Sequence, residues 1–110
     1  MSSPAVFENR VFFGSHDTQL YAADADTGAP AWVFNTDGAI LSSPTVLPKS
    51  DLIIVGSKDR KLYFIHAADG SLAHAIPLSA GITSVPVVAG DELFVNDDSG
   101  AVWCFTMSAS

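Results

Sequence analysis

The sequence predicts an all-β fold: a partial β-propeller of four-stranded antiparallel blades, two of them full and a third of three strands. Three observations carry this reading. A Ser-x-Pro signature recurs, as Ser2-Ser3-Pro4, Ser42-Ser43-Pro44 and Ser84-Val85-Pro86. The string from Gly14 to Tyr21 returns from Gly56 to Tyr63 at an offset of 42 residues, and Asn96, Val102 and Trp103 continue the pattern at an offset of 40. Short apolar runs alternate with Gly/Asp turns, and no stretch keeps a 3.6-residue period for more than a turn. A period of roughly 40 residues with this composition is that of stacked propeller blades. The chain reads as one segment, 1–110, with repeats at about 2–41, 42–83 and 84–107.

Each repeat resolves into short strands. The first follows the Ser-x-Pro signature: Ala5-Val6-Phe7, Thr45-Val46-Leu47 and Val87-Val88-Ala89. Turns at Glu8-Asn9, Pro48 to Asp51, and Gly90-Asp91 lead to the second strand. There Val11-Phe12-Phe13, Leu52 to Val55, and Leu93-Phe94-Val95 are unbroken apolar runs, the pattern of strands buried on both faces. Polar turns follow at Ser15 to Thr18, Ser57 to Arg60, and Asp97 to Gly100. Their Asp, Ser and Gly residues form local hydrogen bonds and tolerate positive φ, as hairpin ends require. The third strands are Leu20 to Ala23, Leu62 to Ile65, and Val102 to Phe105. After the turns at Asp26-Thr27-Gly28 and Ala68-Asp69-Gly70 come the outer strands, Ala31 to Phe34 and Ala73 to Ile76. The third repeat reaches Met107 without a fourth strand.

Composition narrows the function. Twelve acidic against five basic residues give a net charge of −7, and the bases form one small cluster, Lys58, Arg60 and Lys61. Such a surface repels phosphate backbones, so no nucleic-acid partner is expected. No run of 18 apolar residues encodes a membrane span. The start, Met1-Ser2-Ser3-Pro4, has no basic region followed by an apolar one, so no secretion signal is read in the chain as given. Cys104 is the single cysteine. Among Val102, Trp103 and Phe105 it reads as a buried, inert thiol in a strand.

The run from Ala22 to Trp32, Ala-Ala-Asp-Ala-Asp-Thr-Gly-Ala-Pro-Ala-Trp, fits A-x-D-x-x-T-G-x-x-x-W at every fixed position. It resembles the tryptophan-docking motif of the PQQ-like (quinoprotein-type) β-propeller repeat, and the upstream Val-Phe-Phe-Gly-Ser…Leu-Tyr-Ala string is similar to that repeat too. The resemblance covers nearly the whole chain. It implies a structural docking set of Ala22, Asp24, Thr27, Gly28 and Trp32, with the Trp32 indole stacking on the neighbouring blade. Asp24, Thr27 and Gly28 would shape the turn beneath it. The chemistry suits these roles: Gly28 can supply positive φ, Asp24 can accept backbone N–H bonds, and a large indole can close a seam. The second repeat departs from the motif. His66, Asp69 and His74 stand where Asp24, Thr27 and Trp32 stand in the first, and only Gly70 remains. That blade is expected to dock less tightly. A His66–Asp69–His74 metal site is not supported by ligand spacing. Asp24-Ala25-Asp26-Thr27-Gly28 has too few carboxylates for a calcium loop.

No G-x-S-x-G elbow, phosphate loop or H-E-x-x-H is present, and nearly all the acids fall in turns, so no catalytic residue is assigned. Quinoprotein dehydrogenases resemble this repeat. They hold PQQ and calcium within a full ring of blades, and many carry an adjacent cysteine pair. Neither feature can be built from these residues alone, and no cofactor is assigned unless the segment is part of a complete dehydrogenase propeller. Non-enzymatic relatives use the ring as an interaction platform. The function expected is therefore a protein-interaction or scaffold module, the alternatives being a fragment of a PQQ-dependent oxidoreductase and a purely structural segment. Partner contacts are expected on the face carrying the blade-to-blade loops (residues 35–41 and 77–83) and the second-to-third-strand turns. His16, Asp17, Lys58, Asp59, Arg60 and Asp98 are its candidate residues. Propellers close with four to eight blades, so further blades or self-association are expected. A dimer of six blades is the simplest ring, and an isolated monomer should be unstable.

Overall fold

Apolar runs punctuated by tight turns build three antiparallel sheets in a computed structural model of the chain. It describes residues 4–14, 18–40, 43–47, 51–82, 86–90 and 92–106. The candidate residues His16 and Asp17 lie outside the described residues. Blade 1 contains β1 (Ala5–Phe7), β2 (Arg10–Gly14), β3 (Gln19–Asp24) and β4 (Pro30–Asn35). Blade 2 contains β5 (Thr45–Leu47), β6 (Leu52–Gly56), β7 (Lys61–His66) and β8 (Leu72–Pro77). Blade 3 contains β9 (Val87–Ala89), β10 (Glu92–Asn96) and β11 (Val102–Thr106). In every blade the strands pair in chain order. No helix occurs among the described residues, and the architecture is that of a partial β-propeller.

Matching registers show why the repeat is visible in the sequence. Val11↔Ala23, Phe12↔Ala22 and Phe13↔Tyr21 in blade 1 become Ile53↔Ile65, Ile54↔Phe64 and Val55↔Tyr63 in blade 2. Leu93↔Phe105, Phe94↔Cys104 and Val95↔Trp103 continue the series in blade 3. The turn from β1 to β2 places Glu8 and Asn9 at φ 49° and 63°, the backbone of a two-residue hairpin whose twist matches its strands. Thr18, Arg60 and Gly100, equivalent positions in the turns leading to β3, β7 and β11, all have positive φ. Only the glycine adopts this without steric cost.

Two apolar seams hold the blades together. Phe12, Leu20, Ala22 and Ile40 meet Ile53, Val55, Tyr63 and Ile65 between blades 1 and 2. Ile54, Leu62, Phe64 and Ile82 meet Leu93 and Val95 between blades 2 and 3. Alternation along the strands sends adjacent residues to opposite faces. Blade 2 has a neighbour on each side, and among the described residues its inner strands β6 and β7 are the ones buried on both faces. Phe13 and Phe94, on the second strands of the two terminal blades, are exposed because their faces point away from blade 2. The same geometry corrects Cys104. It is exposed on the outer face of blade 3, and its Sγ lies 3.3 Å from Glu92 Oε2. That contact with a carboxylate raises the thiol pKa, so Cys104 stays protonated, though in a wet setting.

The loops between blades are anchored by glycines. Ile40 packs over Gly14 and Ile82 over Gly56, so tightly that a Cβ at either glycine would fall 2.2 Å from the isoleucine Cγ2. Both isoleucines are fully buried. Gly56→Ala should therefore destabilise the chain by about 1–3 kcal/mol through overpacking. Urea denaturation is expected to show a smaller loss when Gly56→Ala is combined with Ile82→Ala than the two single losses together.

Candidate functional site: the blade-turn face and the docked tryptophan

The outer-strand turn of blade 1 is built by Asp24. Its Oδ1 accepts the N–H groups of Asp26 (2.8 Å) and Thr27 (3.0 Å), and Thr27 Oγ1 accepts the Ala29 N–H. The Gly28 N–H donates to the Asp24 carbonyl at φ 74°. These N–H donors, Thr27 first, lower the Asp24 pKa. Blade 2 repeats the backbone of this turn: the Gly70 N–H donates to the His66 carbonyl at φ 76°. With His66 in place of the aspartate, the carboxylate support moves to Asp69, which accepts the Ser71 N–H and hydroxyl.

Onto that second turn the first blade lays its indole. The Trp32 ring stands so close over Gly70 that a Cβ there would come within 2.6 Å of it, and the glycine is required for this approach. Trp32 Nε1 donates to the Ala67 carbonyl at 2.9 Å, and the ring tilts against Phe12 at 5.7 Å. Arg10 Nη1 donates to the carbonyls of Ala67 and Ala68. Ala22, directly paired with Trp32, is fully buried beneath it. The second-repeat histidines do not converge on a ligand. His66 ends β7 and is exposed, while His74 is exposed on β8 and touches Phe64 edge-on at 6.1 Å. Among the described residues no group of three His, Cys, Asp or Glu is placed to hold a metal ion.

At the opposite end of the seams lie the turns before β7 and β11 and the crossing loops. Here the structure brings Lys58, Asp59, Arg60 and Asp98 together, and it ties several of them to neighbouring blades. Asp59 accepts the Asp37 N–H from the blade 1 loop, the Lys61 N–H and the Tyr63 hydroxyl. Burial, with the Asp59 carboxylate beside it, pushes the Tyr63 pKa up. Lys58 pairs with Asp98 across the seam between blades 2 and 3. Backbone bonds repeat at both seams: Lys58 N–H to the Ala39 carbonyl, and Asp98 N–H to the Gly81 carbonyl. Arg60 is exposed on the same rim. An open cleft of about 350 Å³ lies at the other end of the first seam, walled in part by Phe7, Asn9, Arg10, Asp24 and Asp51. Its Arg10 and Asp24 are committed to the backbone bonds already described.

Sequence reasoning misses Asp97, which reads as one turn acid among others. Its side chain is buried and gathers the hydroxyls of Ser79 and Ser99, the N–H groups of Ser99 and Ala101, and Trp103 Nε1 at 3.0 Å. Ser79 belongs to the loop from blade 2, so this carboxylate locks the second seam. Its equivalent in blade 2 is Ser57, also buried, which donates to the Gly38 carbonyl. Alignment of the repeats would have marked both positions as small and polar, without showing that they close the rim.

Trp32→Ala should cost about 3 kcal/mol, at the lower end for a large aromatic because the ring is only partly buried. His74→Ala should cost far less. Thermal unfolding of the two variants checks this, and equal losses would contradict the docking role of Trp32. A pH dependence follows from Asp97, whose carboxyl the Ser79, Ser99 and Trp103 donors hold well below the usual range. A depressed folded-state pKa stabilises fully above the unfolded value of about 3.9 and is lost as pH falls from there toward the folded value. Tm should be level from pH 8 to 5 and fall below about pH 4, and Asp97→Asn should lower the plateau and flatten that fall.

Comparison with known proteins agrees with this geometry. Residues 1–49 and 47–108 match, in succession, the family model described as outer membrane protein assembly factor BamB. The β-alanine-activating enzyme of Mus musculus is 29% identical over 105 residues, which is 91% of this chain and 10% of the enzyme. The crystal structure of BamB from Moraxella catarrhalis superposes with a TM-score of 0.81 at 17% identity, over 96% of this chain and 32% of that one. Quinohemoprotein alcohol dehydrogenase ADHIIG from Pseudomonas putida HK5 gives 0.81 at 21% identity, over 96% of this chain and 18% of that one. This chain thus spans a tenth to a third of the length of these proteins. Its repeats, its blade registers and its family match give one conclusion: the chain belongs to the BamB family of PQQ-like β-propeller repeats.

Proposed function

We propose that the chain is a non-enzymatic propeller segment that binds a protein partner through its blade-turn face. The observation that carries this reading is the rigidity of the charged rim. Lys58 and Arg60 are exposed, yet they stand on a turn held by the Lys58 N–H bond to the Ala39 carbonyl and by the Asp59 bonds to Asp37 and Tyr63. A partner would meet preset charges and would spend little ordering entropy on the loops. Matching an assembly factor along nearly the whole chain supports the same role.

The likeness to a quinohemoprotein dehydrogenase concerns the fold, and the residues described do not fit a PQQ–calcium pair. The rim carboxylates Asp59, Asp97 and Asp98 spend oxygens on N–H, hydroxyl and ammonium groups of their own blades and loops. As a tenth of the length of an activating enzyme, a segment of this kind would serve such a protein as an appended module.

Two measurements test the proposal. Addition of PQQ with calcium should leave Tm unchanged, and a rise with bound quinone absorbance would favour the oxidoreductase reading. Lys58→Glu with Arg60→Glu should retain the fold. Proteins that co-isolate with the unaltered chain, quantified by mass spectrometry, should be depleted at least tenfold on the double variant. Undiminished recovery would remove this face as the binding surface.

A further inference from the structure

The turn before β7 holds a basic side chain at a place where the backbone asks for none. Thr18, Arg60 and Gly100 are equivalent in the three blades and lie at φ 78°, 73° and 92°. This left-handed region is open to glycine and strained for a residue with a Cβ. Thr18 shows that the position does not require a cation. What the turn needs comes from the Arg60 backbone: its N–H donates to the Ser57 carbonyl, and its carbonyl accepts the Leu78 N–H at 2.7 Å. A glycine would make both bonds, and in blade 3 the Gly100 N–H makes the first of them, to the Asp97 carbonyl. Arg60 is exposed, and among the described residues its guanidinium has no ion pair. The fold thus carries strain for a side chain it does not use.

Charge singles out the same place. The chain has five basic residues against twelve acidic ones. Arg10 is committed to the Ala67 and Ala68 carbonyls at the other end of the seam, Lys49 lies outside the described residues, and Lys58 pairs with Asp98. Arg60 and Lys61 remain, adjacent in sequence and without an ion pair among the described residues. The carboxylates next to them are engaged elsewhere. Asp59 accepts the Asp37 N–H, the Lys61 N–H and the Tyr63 hydroxyl, and Asp98 accepts from Lys58.

We infer that Arg60, with Lys61 beside it, is the anchor for a carboxylate of the partner, so that the protein bound at this face presents an acidic segment to it. The inference rests on the reading that the blade-turn face binds a protein. A guanidinium offers a planar fork that takes a carboxylate through two parallel N–H bonds, which an ammonium does not. The turn fixes where that fork starts, because Arg60 is held at its N–H and at its carbonyl. Asp37, exposed on the crossing loop from blade 1, would repel a second acid on that side, so the partner's acids are kept to the side of blades 2 and 3. Nucleic acid, the other carrier of repeated anions, is repelled along its whole length by a net charge of −7. A short acidic segment meets the two cations alone.

Two short labelled peptides serve as probes, one of alternating Glu and Ser and one with Gln in place of every Glu, and fluorescence anisotropy reads their binding to the full chain. The Glu peptide should bind about tenfold more tightly than the Gln peptide. Arg60→Gly keeps the turn's backbone bonds and removes the fork. It should weaken the Glu peptide about fivefold or more, while Tm stays level or rises by a few degrees as the strain is relieved. Arg60→Lys keeps the charge and the strain, and should weaken binding by a smaller but resolved factor. Equal binding of the two peptides, or an affinity unchanged in Arg60→Gly, would overturn the inference. So would a Tm several degrees lower in Arg60→Gly, because the side chain would then be serving the fold. Recovery of co-isolating proteins on the Lys58→Glu, Arg60→Glu variant separates the two readings. Depleted recovery with no preference for the Glu peptide keeps the face and overturns its acidic partner, whereas undiminished recovery removes both.

Discussion

Burial of one sheet face against the next is the constraint on which the rest of this structure depends. Each four-stranded sheet is too thin to hold a core by itself, so its apolar residues gain only when a neighbouring blade covers them. Phe12, Leu20 and Ala22 on one side and Ile53, Val55 and Ile65 on the other achieve this at the first seam. At about 1.5–3 kcal/mol for each large side chain removed from water, such contacts set the scale of stability for a chain this small. The central blade benefits twice, and its strands β6 and β7 are the most deeply buried in the molecule.

The polar groups at the seam ends follow from that packing. Once the sheets stack, backbone groups at their edges lose water and must find partners. At one end they are met by the Trp32 indole and the Arg10 guanidinium on the Ala67 carbonyl. At the other end the crossing loops bond to the next blade's turn, and Ser57 and Asp97 fill the two equivalent buried positions. The blade-turn face therefore has two layers. Its inner layer consists of groups that join blades, and its outer layer, with Lys58 and Arg60 exposed, is what a partner would meet. Rigidity of the outer layer is a consequence of the inner one.

Repetition makes much of this legible in the sequence itself. Offsets of 42 and 40 residues located strands because the blades share one register, and A-x-D-x-x-T-G-x-x-x-W marked the Asp24–Gly28 turn because each fixed residue meets a local backbone demand there. Legibility fails where a residue's environment comes from outside its own repeat. Cys104 sits in an apolar string that reads as buried, yet its exposure is set by the absence of a covering sheet among the described residues. Asp97 fails in the other direction. A turn aspartate reads as solvated, but the loop carrying Ser79 and the ring of Trp103 close over it.

What the sequence alone determined is the local pattern: the strand positions, the hairpin turns, the all-β class and the repeat family. These depend on period-two alternation, on residues that tolerate positive φ, and on a motif within eleven consecutive positions. What only the tertiary structure decided is which faces are covered, which carboxylate is locked, and that Gly70 is occupied by an indole while Gly28 is bare. The physical reason is that burial and hydrogen-bond satisfaction across a seam are properties of two blades at once. Identical turns in successive repeats therefore acquire different environments from their neighbours.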